Sequence, residues 1–255
     1  MITKLQNPMA AKDLFAGWEE TLIWSCLQKV MGGIYGDSAH DPASAMALIG
    51  DFCFLAGMPD TELAAYKPET CQQDFMIMVP QNQQWGELIE QLYQGKAKKV
   101  TRYAIKKEPD VFDKEKLRQM TDTLSPEYEL KMIDEGLYHY CKEHTWCRDF
   151  VSQYADYEAY RKYGLGVVIL KDGVPVSGAS SYTSYPGGIE IEIDTKEEYR
   201  RRGLATICGA KLILECLQRN LYPSWDAQNL WSVSLAEKLG YHFDHVYTAY
   251  EICEY

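Results

Sequence analysis

The second half of the chain alternates apolar and polar residues regularly enough to predict its elements. Alternating or continuously apolar stretches predict strands at residues 128–133, 166–170, 174–184, 189–195 and 222–226, and one bent strand or a pair at 241–252. Apolar positions at helical spacing predict helices at residues 135–142, 148–162, 203–217 and 233–239. Asp172-Gly173 predicts a tight hairpin turn. The element order predicts a mixed α/β (α+β) domain, with antiparallel hairpins beside a parallel crossover.

The first half of the chain carries weaker patterns, which predict an additional α/β region. They predict helices at residues 13–28 and 85–93, and strands at residues 45–55, 75–79 and 99–105. Asp13 can cap the first helix. Residues 106–113 are charged and lack periodicity, so we place a boundary between them and Pro126. The predicted domains are residues 1–120 and residues 121–255.

Composition indicates a folded protein that does not bind nucleic acid in general. The chain has 255 residues, of which 46% are hydrophobic and 13% aromatic, so it can bury a substantial core. The chain has a net charge of −11, so we expect it to lack the basic surface that nucleic-acid binding needs. Against this background, the consecutive residues Arg200, Arg201 and Arg202 predict a local anion site. A solvated charged turn explains them equally well.

The cysteines and the hydropathy of the chain indicate its compartment. The eight cysteines are scattered among apolar residues, which is typical of reduced core thiols. His139, Cys141, His144 and Cys147 do not have a familiar zinc spacing, so we expect no metal site. Neither a signal peptide nor a membrane span is evident. We therefore expect a cytoplasmic protein without a membrane partner.

The predicted strand at residues 189–195 carries carboxylates on one face and isoleucines on the other. With a period of two residues, Glu190, Glu192 and Asp194 share a face. One interpretation is a polar sheet face in water, which many antiparallel sheets have. The other is a face that lines a cleft, because helices flank this strand on both sides in sequence. Carboxylates in a cleft can attract and deprotonate an amine.

A basic turn that contains a glycine connects this strand to the next predicted helix. Gly203 lets the backbone approach a ligand closely, and Ala205 keeps the first helical turn slim. Free N–H groups at a helix start, together with arginine side chains, can bind phosphate groups. The pattern is shorter than the dinucleotide-binding fingerprint, which the sequence lacks.

A third pattern, Asn229-Leu230-Trp231-Ser232, precedes the predicted helix at residues 233–239. Asn229 or Ser232 can cap that helix, and capping alone explains both residues. Their position after the next strand also places them where a second helix starts beside the first.

Together these patterns resemble the GNAT superfamily of N-acetyltransferases. Residues 195–206 resemble its acyl-CoA pyrophosphate motif, and residues 229–241 resemble its following helix motif, which ends in Leu-Gly-aromatic. The resemblance covers residues 125–255 and extends to element order and spacing. Residues 214–217 and 221–227 are further similar to a bacterial branch that includes zwittermicin A resistance acetyltransferases.

The resemblance implies a central mixed sheet flanked by helices, with acetyl-CoA as co-substrate where the central strand separates from its parallel neighbour. Backbone groups of residues 193–195 would pair with the pantetheine arm. The N–H groups of residues 202–206, helped by arginine side chains, would bind the pyrophosphate, and Asn229 and Ser232 would contact the thioester end. The implied cofactor-binding residues are Ile193, Asp194, Thr195, Arg200, Arg201, Arg202, Gly203, Leu204, Ala205, Thr206, Asn229 and Ser232.

The acidic strand supplies the candidate catalytic base. A protonated amine has no lone pair, so a base must remove its proton before the amine can attack a thioester. Glu190 and Glu192 are the candidates by position, and the choice between them is open. A backbone N–H near Ile193 would stabilise the developing oxyanion.

The sequence departs from the family at the residue that protonates the leaving thiolate. Many relatives carry a tyrosine seven residues after the asparagine, whereas this chain has Ala236 at that position. Tyr222, Tyr241, Tyr247 or water would have to replace it.

The implied function is an acetyl-CoA-dependent N-acetyltransferase that modifies a primary amine of a small molecule, with an aminopolyol antibiotic among the candidate acceptors. Ala236 supports an alternative, a catalytically silent acyl-CoA-binding module with a sensory or scaffolding role. Acylation of a protein terminus or lysine is a third hypothesis. Residues 1–120 would be a degenerate copy of the same fold or a lid that contacts substrate.

Overall fold

The computed structural model describes residues 1–69 and 71–255. The chain forms two compact units, which are Met1–Arg102 together with Val246–Tyr255, and Tyr103–His245. The chain passes from the first unit to the second between Arg102 and Tyr103, and it returns between His245 and Val246. Both crossing points lie inside long strands. The domain roles predicted for residues 1–120 and 121–255 stay predictions.

The first unit contains short helices and a largely antiparallel sheet. Its elements are β1 (Thr3–Lys4), a 3₁₀ helix (Pro8–Phe15), α1 (Thr21–Leu27), β2 (Gly33–Gly36), β3 (Ser44–Ile49), β4 (Phe52–Gly57), α2 (Thr61–Ala64), β5 (Phe75–Pro80), α3 (Gln83–Tyr93), a 3₁₀ turn (Gln94–Lys96) and most of β6 (Ala97–Ile105).

The second unit contains the elements for which the sequence patterns are strongest. They are α4 (Lys114–Asp122), β7 (Tyr128–Met132), α5 (Glu135–Glu143), a 3₁₀ helix (Thr145–Phe150), α6 (Tyr157–Tyr163), β8 (Gly166–Lys171), β9 (Val174–Tyr185), β10 (Gly188–Thr195), a 3₁₀ turn (Glu197–Tyr199), α7 (Leu204–Gln218), β11 (Tyr222–Ser224), β12 (Asp226–Ala227), α8 (Leu230–Leu239) and the start of β13 (Phe243–Cys253).

The sheet of the second unit has the strand order β11-β10-β9-β8-β7. Its strands are antiparallel except for the parallel pair of β10 and β11. Helix α7 packs on one face, where Ile189 and Ile191 contribute to a core with Ile207 and Leu212. The observed architecture is a mixed α/β fold with sheets flanked by helices, which confirms the predicted fold class.

Strands β10 and β11 pair over a short stretch and then separate. Their register joins Gly188 to Tyr222, Ile189 to Pro223 and Glu190 to Ser224. The chain then turns away, because β12 pairs with the end of β6. Beyond Glu190, β10 pairs with β9 alone among the strands of the described residues. A gap therefore opens at Glu190, along an edge of β10 whose backbone groups can bind an extended ligand.

The first unit repeats this topology by itself. Strands β1 to β4 pair antiparallel in sequence order, and β4 pairs with β5 in parallel across the helix α2. The same order of pairings runs from β7 to β11 across α7 in the second unit. The lengths of the crossover helices differ, since α2 has 4 residues and α7 has 15.

Two predictions in the first half are wrong. The helix predicted for residues 13–28 is a 3₁₀ helix followed by α1, because Gly17 adopts a positive φ between them. Asp13 lies inside the 3₁₀ helix and does not cap α1. The strand predicted for residues 45–55 is the hairpin of β3 and β4, which Gly50 turns with a φ of 58°.

Two further differences lie in the second unit. The helix predicted for residues 148–162 is interrupted, and α6 begins only after Asp156, whose carboxylate accepts the Ala159 N–H at 2.8 Å. Helix α4 lies where no helix was predicted. It buries Leu117 alone, so its apolar stripe is too narrow to stand out in the sequence.

The Asp172-Gly173 hairpin is confirmed, and the helix predicted for residues 233–239 ends where it was predicted to end. Asp172 and Gly173 have φ values of 51° and 79°, as a tight hairpin of this kind demands. Gly240 terminates α8 in the left-handed conformation.

We predict that Gly188→Ala destabilises the protein. The Tyr185 hydroxyl crosses over Gly188 to reach the Ser224 hydroxyl at 2.9 Å, and a Cβ at this position would collide with it. Overpacking of this kind costs about 1–3 kcal/mol, which urea denaturation would measure. The control is Gly136→Ala, whose added Cβ meets no atom closer than 3.6 Å. Equal stability of the two variants would contradict the prediction.

Candidate active site

The turn between β10 and α7 presents the uncapped start of a long helix. Arg201 and Gly203 both adopt left-handed backbone conformations, with φ values of 62° and 80°. Gly203 precedes α7, and no side chain caps the helix. The first N–H groups of α7 are thus available to an anion, which the helix dipole also favours.

A cavity of about 370 Å³ lies at this turn. It brings together most of the residues that were predicted to bind the cofactor with three that were not. Its lining is formed by Thr195, Tyr199, Arg200, Arg201, Gly203, Leu204, Ala205, Thr206, Trp231 and Leu235. The structure therefore joins the basic turn to the start of α8 around one concave surface.

The three consecutive arginines have different environments. Arg200 donates from Nε to the Thr195 carbonyl at 3.1 Å, and its guanidinium lies 3.6 Å from the Asp194 carboxylate. Arg202 donates to the Glu198 carbonyl at 3.0 Å. Within residues 1–69 and 71–255, the Arg201 side chain has neither a hydrogen bond nor an ion pair. Arg200 and Arg202 thus bind the turn itself, while Arg201 lines the cavity without such a contact in the described chain.

The predicted cofactor residues of β10 point to both faces of the sheet. Ile193 packs against the α7 core. The Thr195 and Ser177 hydroxyls are 2.7 Å apart. Burial raises the pKa of Asp194, while the Thr195 N–H and the Arg200 guanidinium oppose that rise. Their side chains are engaged within the protein, and the Thr195 backbone is engaged as well, because its N–H donates to the Asp194 carboxylate at 2.6 Å and its carbonyl accepts the Arg200 Nε–H.

Glu190 lies in a buried row of hydroxyl groups at the point where β10 and β11 separate. Its side chain is 6% exposed. Thr183 of β9 and Ser224 of β11 flank it in the sheet register, and both are buried. Burial raises the pKa of Tyr185 to about 12, and the charge of Glu190 adds to that rise. Glu190 is therefore a buried carboxylate surrounded by groups that can donate hydrogen bonds.

Glu192 lies two residues further along the same face and is more exposed. It is half-buried and stands opposite Ser180 in the register with β9. It lies beside the open edge of β10, beyond the last pair with β11. The structure thus places both candidate bases on one face of the strand, on either side of the point where the gap begins.

Asn229 and Ser232 have structural roles at the start of α8. The Asn229 carboxamide oxygen accepts the Trp231 and Ser232 N–H groups at 3.0 and 2.9 Å, which confirms its prediction as a cap. Ser232 Oγ accepts the Trp225 indole N–H at 3.0 Å. Neither residue lines the cavity at the basic turn. Their contact with a cofactor stays a prediction.

The tyrosines considered as acids are engaged elsewhere. Ala236 is fully buried in α8. Tyr241 donates to the Pro223 carbonyl at 2.6 Å, and burial raises its pKa well above the usual value. The Tyr222 hydroxyl accepts the Glu108 N–H at 2.9 Å, and burial raises its pKa too. The Tyr247 hydroxyl accepts the Arg102 Nε–H at 3.2 Å. No tyrosine of this set is assigned the acid role.

Trp231 and Tyr199 line the cavity, although the sequence patterns assign a ligand contact to neither residue. The residues of α8 that are buried are Val233, Ala236 and Leu239. Helical spacing from these residues puts Trp231 off the buried face, so the missed signal was a large aromatic residue on the polar side of a helix.

The cysteines and the helices show no further specialised chemistry. All eight cysteines are free thiols, and Cys253 alone is exposed. In the described part of the chain, no group of three or more His, Cys, Asp or Glu side chains is placed to bind a metal ion. The helices of residues 1–69 and 71–255 are all too short or too polar to span a bilayer.

Comparison with known proteins gives the family. The family model of GNAT acetyltransferases matches residues 12–250. The chain is 26% identical over 247 residues to the uncharacterized N-acetyltransferase YdfB of Bacillus subtilis, covering 90% of this chain and 89% of YdfB. It is 48% identical to the crystal structure of a GCN5-related N-acetyltransferase-like protein from Streptococcus suis, with a TM-score of 0.91 and coverage of 97% and 98%.

A more distant structure shares the fold over the whole chain. It is a tandem GNAT protein from the clavulanic acid biosynthesis pathway, which is 8% identical with a TM-score of 0.51 and coverage of 100% and 98%. The family model, YdfB and the Streptococcus suis protein each match both units of the chain. The protein belongs to the GNAT acetyltransferase family, and it is an N-acetyltransferase by family.

Proposed function

We propose that this protein transfers an acetyl group from acetyl-CoA to a primary amine of a small molecule. The observation that carries the proposal is a single junction. Strand β10 brings Glu190 and Glu192 to a gap in the sheet and then leads through the basic turn into the uncapped start of α7. This junction combines a base for the amine with a site for the phosphates of the donor.

The residues at the turn fit the pyrophosphate of coenzyme A. The first N–H groups of α7, at residues 204–206, face the cavity as donors without a capping side chain. Arg201 adds a guanidinium that can form charge-assisted hydrogen bonds. The open edge of β10 offers backbone groups of residues 193–195 to the pantetheine amides, and those of Thr195 would exchange their bonds to Asp194 and Arg200 for bonds to the ligand. When bound, acetyl-CoA supplies the activated acetyl group.

The acidic face of β10 serves the acceptor amine. Glu190 or Glu192 accepts the ammonium proton, directly or through a water molecule, and so exposes the nitrogen lone pair. The negative charges also attract a cationic substrate to the gap. The Ile193 N–H lies on the same strand and is the donor we assign to the developing oxyanion. The thiolate takes its proton from water, since no tyrosine is assigned as the acid.

A small polyhydroxylated amine is the acceptor class that we favour. The hydroxyls of Thr183, Ser224 and Tyr185 surround Glu190 and suit a polar acceptor. The similarity of residues 214–217 and 221–227 to zwittermicin A resistance acetyltransferases supports an aminopolyol antibiotic as one such acceptor. The free thiols are compatible with action in the cytoplasm. Nucleic acid and membranes are not proposed as partners.

We propose that the first unit is a degenerate copy of the fold that does not bind the donor. Its topology repeats that of the second unit, but α2 has only 4 residues. The Asp60 carboxylate accepts the Leu63 N–H at 2.8 Å and so places a negative charge where a pyrophosphate would bind. Repulsion by Asp60 therefore opposes donor binding at this helix.

The second candidate function is a catalytically silent acyl-CoA-binding module. The specific observation in its favour is Ala236, which is buried where many relatives carry the acid. This module would bind acetyl-CoA at the basic turn but would not transfer its acetyl group. Turnover of any amine would exclude it, whereas transfer to a protein terminus or lysine would preserve the enzyme and change only the acceptor.

We predict that Arg201→Ala weakens coenzyme A binding. Loss of a charge-assisted hydrogen bond lowers affinity roughly 10- to 100-fold. Isothermal titration calorimetry would measure the change. The matched control is Arg118→Ala, which removes an exposed arginine on α4, away from the cavity. Equal affinities of both variants would contradict the assignment of Arg201.

We predict that Glu190→Gln and Glu192→Gln separate catalysis from binding. Loss of the base lowers kcat roughly 100- to 10,000-fold in one variant, because the amide cannot accept the proton. Coenzyme A affinity is expected to change little in both variants. Thiol release with a panel of amines, including aminopolyols, would measure kcat. Wild-type rates in both variants would rule out this carboxylate pair as the source of the base.

We predict one coenzyme A per chain. The turn at α7 binds the donor, and Asp60 prevents binding at α2. Calorimetry on the full chain gives the stoichiometry. The Asp60→Asn variant tests the repulsion, because it removes the negative charge and keeps an oxygen that can cap the helix. A stoichiometry of two for the wild-type protein would show that the first unit is a functional copy.

A further inference from the structure

Trp231 is a large aromatic side chain that the fold leaves in solvent. It is 78% exposed, although it belongs to the second position of α8. In the described part of the chain, its indole takes part in no ring stacking, cation–π contact or hydrogen bond. Packing within the described chain therefore does not explain the residue, which instead borders the cavity at the basic turn.

The backbone holds Trp231 in a fixed position beside the basic turn. The Trp231 N–H donates to the Asn229 carboxamide at 3.0 Å, which anchors the first turn of α8. Trp231 and Leu235, one helical turn apart, line the cavity together with Arg201 and Gly203. The indole thus borders the same concave surface as the proposed pyrophosphate site.

The second aromatic residue of the cavity is already engaged. The Arg202 guanidinium lies over the Tyr199 ring, 5.0 Å from its centroid. Because the Arg202 guanidinium covers one face of the Tyr199 ring, Tyr199 is less suited to receive another planar group. Trp231 is consequently the aromatic surface in this cavity that a ligand can cover.

We propose that Trp231 stacks on the adenine base of coenzyme A and makes the protein selective for donors that carry the nucleotide. The proposal rests on the proposed function, because it requires the pyrophosphate at the start of α7. The adenosine of coenzyme A is joined to that pyrophosphate through its ribose, so one sugar separates the base from the phosphates and Trp231 on the wall of the same cavity is within reach of the base. Stacking of a base on an exposed indole buries apolar surface and needs no hydrogen-bond partner.

This assignment divides donor recognition into two parts. The α7 N–H groups and Arg201 recognise the phosphates, which 4′-phosphopantetheine also carries in part. Trp231 recognises the nucleoside, which 4′-phosphopantetheine lacks. Trp231 therefore accounts for the contribution of the nucleoside to the difference in affinity between the two ligands, while the affinity for 4′-phosphopantetheine does not depend on Trp231.

The test compares coenzyme A and 4′-phosphopantetheine as probes of the full-length chain. Trp231→Ala is expected to weaken coenzyme A binding roughly 5- to 100-fold and to leave 4′-phosphopantetheine binding unchanged. Trp231→Phe retains a stacking surface and is expected to recover most of the affinity. The matched control is Leu230→Ala, which removes the neighbouring apolar side chain, 61% exposed, that does not line the cavity.

A second readout does not depend on affinity. Coenzyme A is expected to quench the fluorescence of the exposed Trp231, and the quenching should disappear in Trp231→Phe. Tight coenzyme A binding that Trp231→Ala leaves unchanged would overturn the proposal and keep the proposed function. An equal loss for both probes would also overturn it, because it would indicate a structural role. Failure of the wild-type protein to bind coenzyme A would instead overturn the proposed function.

Discussion

The brief pairing of β10 with β11 is the constraint on which the site depends. Within residues 1–69 and 71–255, only residues 188–190 of β10 find a parallel partner, and two contacts then draw the chain away from the sheet. β12 pairs with β6, Trp225 is buried, and its indole N–H binds Ser232 of α8. Each of these contacts keeps the gap open. Strand separation is thus built into the core, so the protein does not have to open the gap when a ligand binds.

The first unit shows what happens when the same topology lacks this constraint. β4 and β5 pair from Phe52 to Leu55, and Gln81 extends the pairing through its backbone N–H to the Leu55 carbonyl. The Gln81 side chain also accepts the Gly57 N–H at 3.0 Å, which closes the edge of β4. Two copies of one topology therefore differ in chemistry through a few residues at the crossover, which illustrates why a fold alone does not determine function.

The sequence was sufficient to predict an element where a local signal determined its structure. Strand β10, the turn at Gly203 and α7 follow from alternation, a glycine and helical spacing, and all lie close to where they were predicted. The failures have a different origin. An apolar run such as residues 45–55 reads as one strand, because periodicity does not reveal a turn in which Gly50 and Asp51 reverse the chain.

The candidate site shows the same limit at the level of side chains. Alternation places Glu190 and Glu192 on one face, but it cannot reveal that Ser224 and Thr183 enclose Glu190, because that depends on contacts between strands distant in sequence. The side chains of Asn229 and Ser232 bind the start of α8 and Trp225, while their contact with a cofactor, which the resemblance implies, stays a prediction. Long-range register, which no local pattern encodes, decides which polar residues remain available.

The basic turn shows how backbone strain and side-chain function are linked. Arg201 adopts a φ of 62°, a conformation that costs a residue with a Cβ about 1–2 kcal/mol. Glycine would avoid that cost at this position, as it does at Gly203. The strained residue is also the arginine that the turn leaves without a partner in the described chain, while Arg200 and Arg202 bind the turn itself. Strained backbone conformations often persist at functional sites, and Arg201 lines the cavity at the start of α7, so the strain accords with the anion contact that we propose for its guanidinium.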